Sequence, residues 1–349
     1  MDPLTQGLLG GAAAYVACGR RLGPRALLIG AAGGVLPDAD VFIRSATDPL
    51  LAVEMHRQFT HALAFIPVGG FIAALPWIVR KKNRADWMAI AGAAIVGYAT
   101  HGPLDACTTY GTQLLWPFSH ARVAWDTISV IDPIFTLVLL FGIIAAAIRR
   151  SSRPATIALS LCLVYLLVGG VQRERASRVQ DQLAATRGHS ISRGKVFPTI
   201  GNNLVWRSLY RSGDMLYVDR IRVPWFGAPR YSPGTSVRSV GEDDLAPDER
   251  SVPRVVKDFR RFQWFSDGWL ARDADDPSVI GDVRYSMRTD AFDAIWGIRF
   301  HPRRAIPTEW VSRSRDRTIS LRDVWDEVSG RDPAYRAIGT TPTIPAAVP

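Results

Sequence analysis

The sequence predicts an α-helical polytopic membrane bundle of about six apolar helices, followed by a soluble α+β domain. Three observations lead there. Residues 1–171 hold only 13 of the 42 Lys+Arg and nine of the 32 Asp+Glu, and nearly all the long apolar runs. Residues 172–349 hold the other 29 basic and 23 acidic residues. Within that second half, short stretches of alternating apolar and polar residues take the place of long apolar runs, as strands do. At 349 residues the chain has room for two domains. The expected division is a membrane-embedded metal-site domain at 1–171, a soluble domain at 172–332 and a disordered tail at 333–349.

The apolar segments run over 8–18, 26–36, 62–79, 87–100, 133–148 and 155–171. Several fall short of the ~20 residues needed to cross a bilayer squarely, so a compact bundle with its short first pair packed inside is expected. Gly7, Gly10, Gly11, Gly30, Gly33 and Gly34 would let those helices approach closely. Basic residues then suggest a topology. Ten lie in the loops after the first, third and fifth segments: Arg20, Arg21, Arg25, Arg80, Lys81, Lys82, Arg84, Arg149, Arg150 and Arg153. The alternate loops hold only Arg44, Arg57 and Arg122. The positive-inside rule assigns the first set to the cytoplasm, which places the second set and the soluble domain on the outer side of a bacterial inner membrane.

In the soluble domain, 172–183 reads as a charged helix, and 251–265 and 318–328 as two more. Strands are expected at 204–211, 215–223, 278–287 and 294–300. The formal charge of +10 is spread as alternating arginines and acids, which is a solvated surface more than an anion-binding block. No helix-turn-helix, zinc-finger or RNP-type pattern appears, so no nucleic acid is expected as a partner. Three cysteines make no disulfide framework. Cys18 and Cys162 sit inside apolar runs, and Cys107 lies beside a polar cluster that has ligands enough without it. The start, Met1-Asp2-Pro3, lacks the basic region and cleavage site of a signal peptide.

That polar cluster is the chemical content of the chain. Asp38, Asp40, His56, His61, His101, Asp105, Asp126 and Asp132 fall in or beside the loops of the apolar half, with four of the six histidines. Ionisable groups at membrane depth are costly unless they pair, bind an ion or reach water. Pro37 stops a helix and leaves Asp38 and Asp40 at its mouth; alone, such a pair is often a turn or a cap. His56 and His61 stand five apart at a helix entry. His101 and Asp105 share a face if the chain stays helical through Gly102 and Pro103. Together these three groups make a metal site, with Asp38, Asp40, His56, His61, His101 and Asp105 as ligands of one or two divalent ions. Imidazole with carboxylate suits zinc first, with manganese or iron as alternatives. Asp126 and Asp132 are candidates for orienting a ligand. Asp132 precedes Pro133, so a helix cap is its other reading.

Several pieces resemble the membrane-bound metal-dependent hydrolase family, whose founding bacterial member is a small inner-membrane protein under SOS control. They are Met1-Asp2-Pro3-Leu4-Thr5-Gln6, Leu36-Pro37-Asp38-Ala39-Asp40, His56-Arg57-Gln58-Phe59-Thr60-His61, Thr100-His101-Gly102-Pro103-Leu104-Asp105 and the run from Thr108 to Phe118. The likeness covers about residues 1–140. Gln58 stands where glycine is expected, and Gln6 where some members have histidine, so Gln6 is an amide in place of a ligand. The family also resembles, more faintly, zinc-dependent phospholipases C.

The resemblance implies a metal-dependent hydrolase in a membrane and leaves the substrate open. A phosphoester of a lipid or lipid-linked molecule is the expectation, with metal-activated water as the attacking group. Asp40 is the expected general base, and Arg57 would neutralise an anionic oxygen or simply form a salt bridge. The alternatives are a metal or ion carrier, or a membrane protein that a metal merely stabilises.

Overall fold

The computed structural model describes residues 1–286, 288–313 and 320–338 of the chain. It divides into two units. The first is Met1–Ile43, Met55–Val171 and Ile200–Asn203; the second is Arg44–Glu54, Gln172–Thr199 and the chain from Leu204 onward.

The first unit is helical. Asp2 opens α1 (Pro3–Leu22): its carboxylate accepts from the Thr5 amide at 3.0 Å, and Pro3 has no amide to leave unpaired. Gly23, at φ 59°, ends the helix. Next come α2 (Arg25–Val35), a short α3 (Leu51–Met55) that lies mostly in the second unit, α4 (Ile66–Ile78) and α5 (Trp87–Ala106). Asp132 and Pro133 repeat the α1 device at the start of α6 (Pro133–Arg149). The long α7 (Arg153–Thr186) runs from the first unit into the second. α1, α2 and α5 pack through small residues. A Cβ on Gly97 would lie 2.1 Å from the Gly30 carbonyl oxygen, so only glycine allows α5 to approach α2 this closely.

All six apolar segments are helical, yet the six-span membrane bundle is not what forms. Among the described residues one helix, α7, is long and apolar enough to cross a membrane; a second crossing exists only if the bent pair Leu51–His61 and Leu63–Ile78 counts as one span. The reason is length and polarity. α2 has 11 residues and α4 has 13, against the ~20 that a bilayer requires. α1 and α5 reach 20 residues, but α1 carries Gln6, Arg20 and Arg21, and α5 carries His101 and Asp105. The loops whose charges suggested a topology therefore do not join six spans, and the outer-side assignment built on them falls with the bundle.

The second unit holds two antiparallel sheets. The strands β1 (Arg193–Pro198), β2 (Val205–Ser212), β3 (Met215–Arg222) and β4 (Arg230–Arg238) are followed by α8 (Pro247–Arg250) and α9 (Pro253–Phe265). Then come β5 (Leu270–Arg272), β6 (Val279–Asp282), β7 (Trp296–Phe300), β8 (Thr308–Ser312), α10 (Leu321–Ser329) and β9 (Arg336–Ala337). The sheet orders are β1-β2-β3-β4-β9 and β5-β6-β7-β8. Trp206, Tyr210 and Trp269 are wholly buried among them. Arg261 of α9 grips Asp48 at 2.9 Å and Glu54 at 2.6 Å, which ties the 44–54 segment into this unit. Of the tail expected to be disordered from Pro333, residues 336–337 form β9, and 339–349 lie outside the described residues, as do 318, 319 and Met287 of the expected elements.

Candidate metal centre

The site is built where two 3-10 turns meet the C-terminal half of α5. A 3-10 turn, Leu36–Phe42, follows α2 directly because Pro37 allows the tighter coil but cannot donate an α-helical hydrogen bond. In such a turn each residue advances by roughly 120°, so Asp38 and Asp40 point in different directions. A second short 3-10 turn, Phe59–His61, carries His61, and the Tyr98 hydroxyl donates to the Thr60 carbonyl at 2.6 Å to hold it. α5 stays helical through Pro103, which puts His101 and Asp105 one turn apart on one face. The two elements touch at Gly102, where a Cβ would lie 2.3 Å from the His61 carbonyl oxygen.

Four side chains converge. One ligand atom each from Asp38, His61, His101 and Asp105 lies within 4.8 Å of the others. The two Nε2 atoms are 2.9 Å apart. Asp38 Oδ1 is 3.6 Å from His61 Nε2 and 3.4 Å from His101 Nε2. Asp105 Oδ2 is 3.3 Å and 3.6 Å from the same two nitrogens. A regular tetrahedron with its corners ~2.1 Å from the centre, the usual zinc–ligand distance, has edges of roughly 3.4 Å. Five of the six edges are thus near that value, and the four atoms could hold a four-coordinate ion.

Both imidazoles have their outer nitrogen committed. His101 Nδ1 donates to the Gly34 carbonyl at 2.6 Å, and a carbonyl can only accept. His61 Nδ1 lies 2.9 Å from Thr60 Oγ1 and 3.3 Å from Asp40 Oδ2. The Thr60 hydroxyl itself donates to Asp40 at 2.8 Å, so it accepts from His61. Each ring thus carries a proton on Nδ1 and turns Nε2 inward. At 2.9 Å one Nε2 must donate to the other unless a cation sits between them, and Asp105 Oδ2, buried and paired with Arg57, faces the same point.

The other site residues surround this cage. Asp40 is not a fourth corner. It accepts from His56 Nδ1 at 2.8 Å, from the Arg57 amide at 3.0 Å and from Thr60, and so fixes the turn that bears His61. His56 joins the site only through that carboxylate, with its ring centroid 5.8 Å from that of His61. Arg57, at φ 62°, is buried; its Nε lies 2.9 Å from Asp105 Oδ2 and its Nη1 donates to Thr108 at 2.9 Å. That contact is an ion pair to Asp105, one of the two roles expected of it. Gln6 donates to Asp105 Oδ1 at 2.9 Å, as does the Met1 nitrogen, and Gln6 Oε1 is buried without a hydrogen bond. Asp132 caps α6 through the Phe135 amide and accepts from the Tyr165 hydroxyl at 2.8 Å. Asp126 is buried at φ 55° and stands outside the four-atom cage. Cys107 donates to the Pro103 carbonyl and is likewise outside it. Thr60 and the Gly34 carbonyl orient the rings, and no sequence pattern marks a backbone oxygen for such a task.

Charge follows geometry. Burial would raise the Asp38 carboxyl, but the neighbouring His101 and His61 rings outweigh it and hold it well below the ordinary carboxylate range. Asp40 is held down likewise, against its burial, by His56 and His61. Burial, with His61 alongside, pushes the His101 imidazole down toward its neutral, ligating form. His61 goes the other way: burial would lower it, but its hydrogen bonds with Asp105, Asp38 and Asp40 outweigh that and push it up to about 10, so a metal bound here must displace its Nε2 proton.

The model of one protein family, the YdjM inner membrane protein, matches residues 1–176, half of the chain. The chain belongs to the YdjM inner membrane protein family. All four cage residues lie inside the matched region, and so does the apolar part of α7. The membrane location implied by the resemblance above thus stands, carried by fewer spans than six. No curated protein and no solved structure matches the chain.

Proposed function

We propose that this member of the YdjM family is a membrane-anchored, metal-dependent hydrolase. The observation that carries the reading is the convergence of the His61 and His101 Nε2 atoms with Asp38 and Asp105 at separations a tetrahedral ion needs. Asp38, His61, His101 and Asp105 would hold the ion, with zinc favoured by the two nitrogens and the tetrahedral spacing. A divalent ion here supplies a Lewis acid and makes a nucleophile available at neutral pH. The chain's own residues do the rest. Asp40 orients His61, and Arg57 and Gln6 hold Asp105 in place. His56, held by Asp40 and partly exposed, is the group placed to take and return a proton. Asp40 thereby shifts from base to the orienting partner of one.

Access and surroundings favour a lipid phosphoester as substrate. Of the four cage side chains only Asp38 reaches solvent, at 20 % exposure, so the site opens on its side. Val41 and Phe42 stand exposed just beyond Asp40 and give that mouth an apolar lip. His56→Gln keeps the Asp40 contact but loses the proton-transfer group. It should retain the metal while hydrolysis of phosphodiester and phospholipid substrates falls ~10²–10⁴-fold. Undiminished turnover in His56→Gln removes the residue from the mechanism.

One observation favours a second reading, a metal that only stabilises the fold. Four protein ligands can close a tetrahedral site completely, whereas catalytic zinc keeps an open position. Cobalt substitution separates the two: phosphate should perturb the visible spectrum of an open site and leave a closed one unchanged.

A further inference from the structure

The chain carries a second, separate set of exposed apolar groups at the end of the β3–β4 hairpin. The loop Pro224-Trp225-Phe226-Gly227-Ala228-Pro229 leaves Trp225 47 % and Phe226 93 % exposed. It is not a slack loop. Arg222 and Arg230 face each other across its base, prolines stand at both ends, and Gly227 turns the tip at φ 95°. Rigid presentation of two bare aromatic side chains to water is unfavourable, and large exposed aromatics of this kind mark an interaction surface.

Where the loop is tethered tells what covers it. Along α7, Ile157, Leu161, Val164, Leu167 and Val171 are exposed at spacings of three and four, which is one helix face. Only 22 % of the apolar window of α7 is buried. That apolar face ends abruptly: Gln172-Arg173-Glu174-Arg175 follows Val171 in the same unbroken helix. The loop is bonded at this step. Gln172 Nε2 donates to the Val223 carbonyl at 2.9 Å, and Arg175 Nη2 donates to the Pro224 carbonyl at 2.9 Å. The aromatic tip is thus fixed at the level where α7 passes from apolar to charged, with exposed Arg173 and Arg230 nearby in the chain. A bilayer interface has this profile: hydrocarbon, then a belt suited to tryptophan and phenylalanine rings, then anionic headgroups that attract arginine.

We propose that Trp225 and Phe226 form an interfacial membrane anchor that seats the β3–β4 hairpin in the headgroup region beside the end of the α7 span. The partner is the surface of an anionic phospholipid bilayer. The proposal rests on the membrane family and on α7, and is independent of the metal chemistry.

The test uses the full chain reconstituted in phosphatidylcholine–phosphatidylglycerol vesicles. Subtracting the emission of Trp225→Phe from that of the wild type isolates Trp225 among the 11 tryptophans. Subtracting Trp225→Phe from the double variant Trp225→Phe/Phe226→Trp reports the neighbouring position independently. Both difference spectra should be blue-shifted and should lose most of their intensity to lipid brominated near the carbonyl end of the chain, and less to lipid brominated near the methyl end. A water-like, unquenched emission overturns the proposal. So does a blue-shifted emission that no brominated lipid quenches, because a protein surface or a second copy of the chain then covers the loop. Stronger quenching by the methyl-end bromines overturns the interfacial placement.

Discussion

Asp38 and Asp40 stand two residues apart and do different work. Asp38 turns into the cage, while Asp40 spends its oxygens on His56, the Arg57 amide and Thr60. Removing a partner that orients a ligand usually costs 10–100-fold in metal affinity, less than removal of the ligand itself. Asp40→Asn should therefore weaken zinc binding by about 10–100-fold in a chelator competition, with Asp38→Ala weaker still. Equal losses in the two variants would place both carboxylates on the ion. The histidine and aspartate types were legible in the sequence because such residues are costly among apolar helices. Their division of labour was not, since it follows from the 3-10 coil after Pro37 and from hydrogen bonds to Thr60 and to the Gly34 carbonyl. Asp132 was open between a cap and an orienting role, and its bond to the Phe135 amide makes it a cap. His120, which the sequence offers without an acidic neighbour, lies against Gln113 at 3.3 Å and outside the cage.

At the scale of elements, the cage depends on how closely the His61 turn approaches α5. In an ordinary helix Gly→Ala stabilises by roughly 0.5–1 kcal/mol. At Gly102 the sign should reverse. The new Cβ meets the His61 backbone oxygen at 2.3 Å, and backbone cannot swing aside as a side chain tip can. Gly102→Ala should lower the melting temperature and release metal together; a stabilised, metal-replete variant would show that the approach is looser than described. Helix positions were readable from apolar runs, but membrane crossing was not, because a run shows where a helix lies and not how much of it is packed against its neighbours. α1, α2 and α5 spend their small residues on one another, while α7 leaves its apolar face bare. In the second unit, the alternating β2, β3 and β7 were visible in the pattern. β1, with Gly194 and Pro198, and β4, with Pro233 and Gly234, carry residues that strands usually avoid, and only pairing in the sheet makes them strands.

The whole molecule joins a long apolar helix, a helical unit that holds the four-residue cluster and a unit of two sheets. Among the described residues α7 is the helix long and apolar enough to span a bilayer. Leu161→Arg with Val164→Arg, placed on the exposed face of that helix, should each cost about 2.5–3.5 kcal/mol of insertion. The double variant should leave the membrane fraction in alkaline carbonate while the wild type stays; retention of both would show that the remaining helices suffice for attachment. The composition splits the chain near residue 171, and the model of a family described as an inner membrane protein matches 1–176. The proposed metal centre is the set Asp38, His61, His101 and Asp105. Elemental analysis of the purified full-length protein after zinc loading and desalting tests it most directly. One tightly held ion per chain is expected in the wild type and in His120→Ala, with its loss in His101→Ala and in Asp105→Asn. Metal-free wild-type protein, or full metal content in both ligand variants, would contradict it.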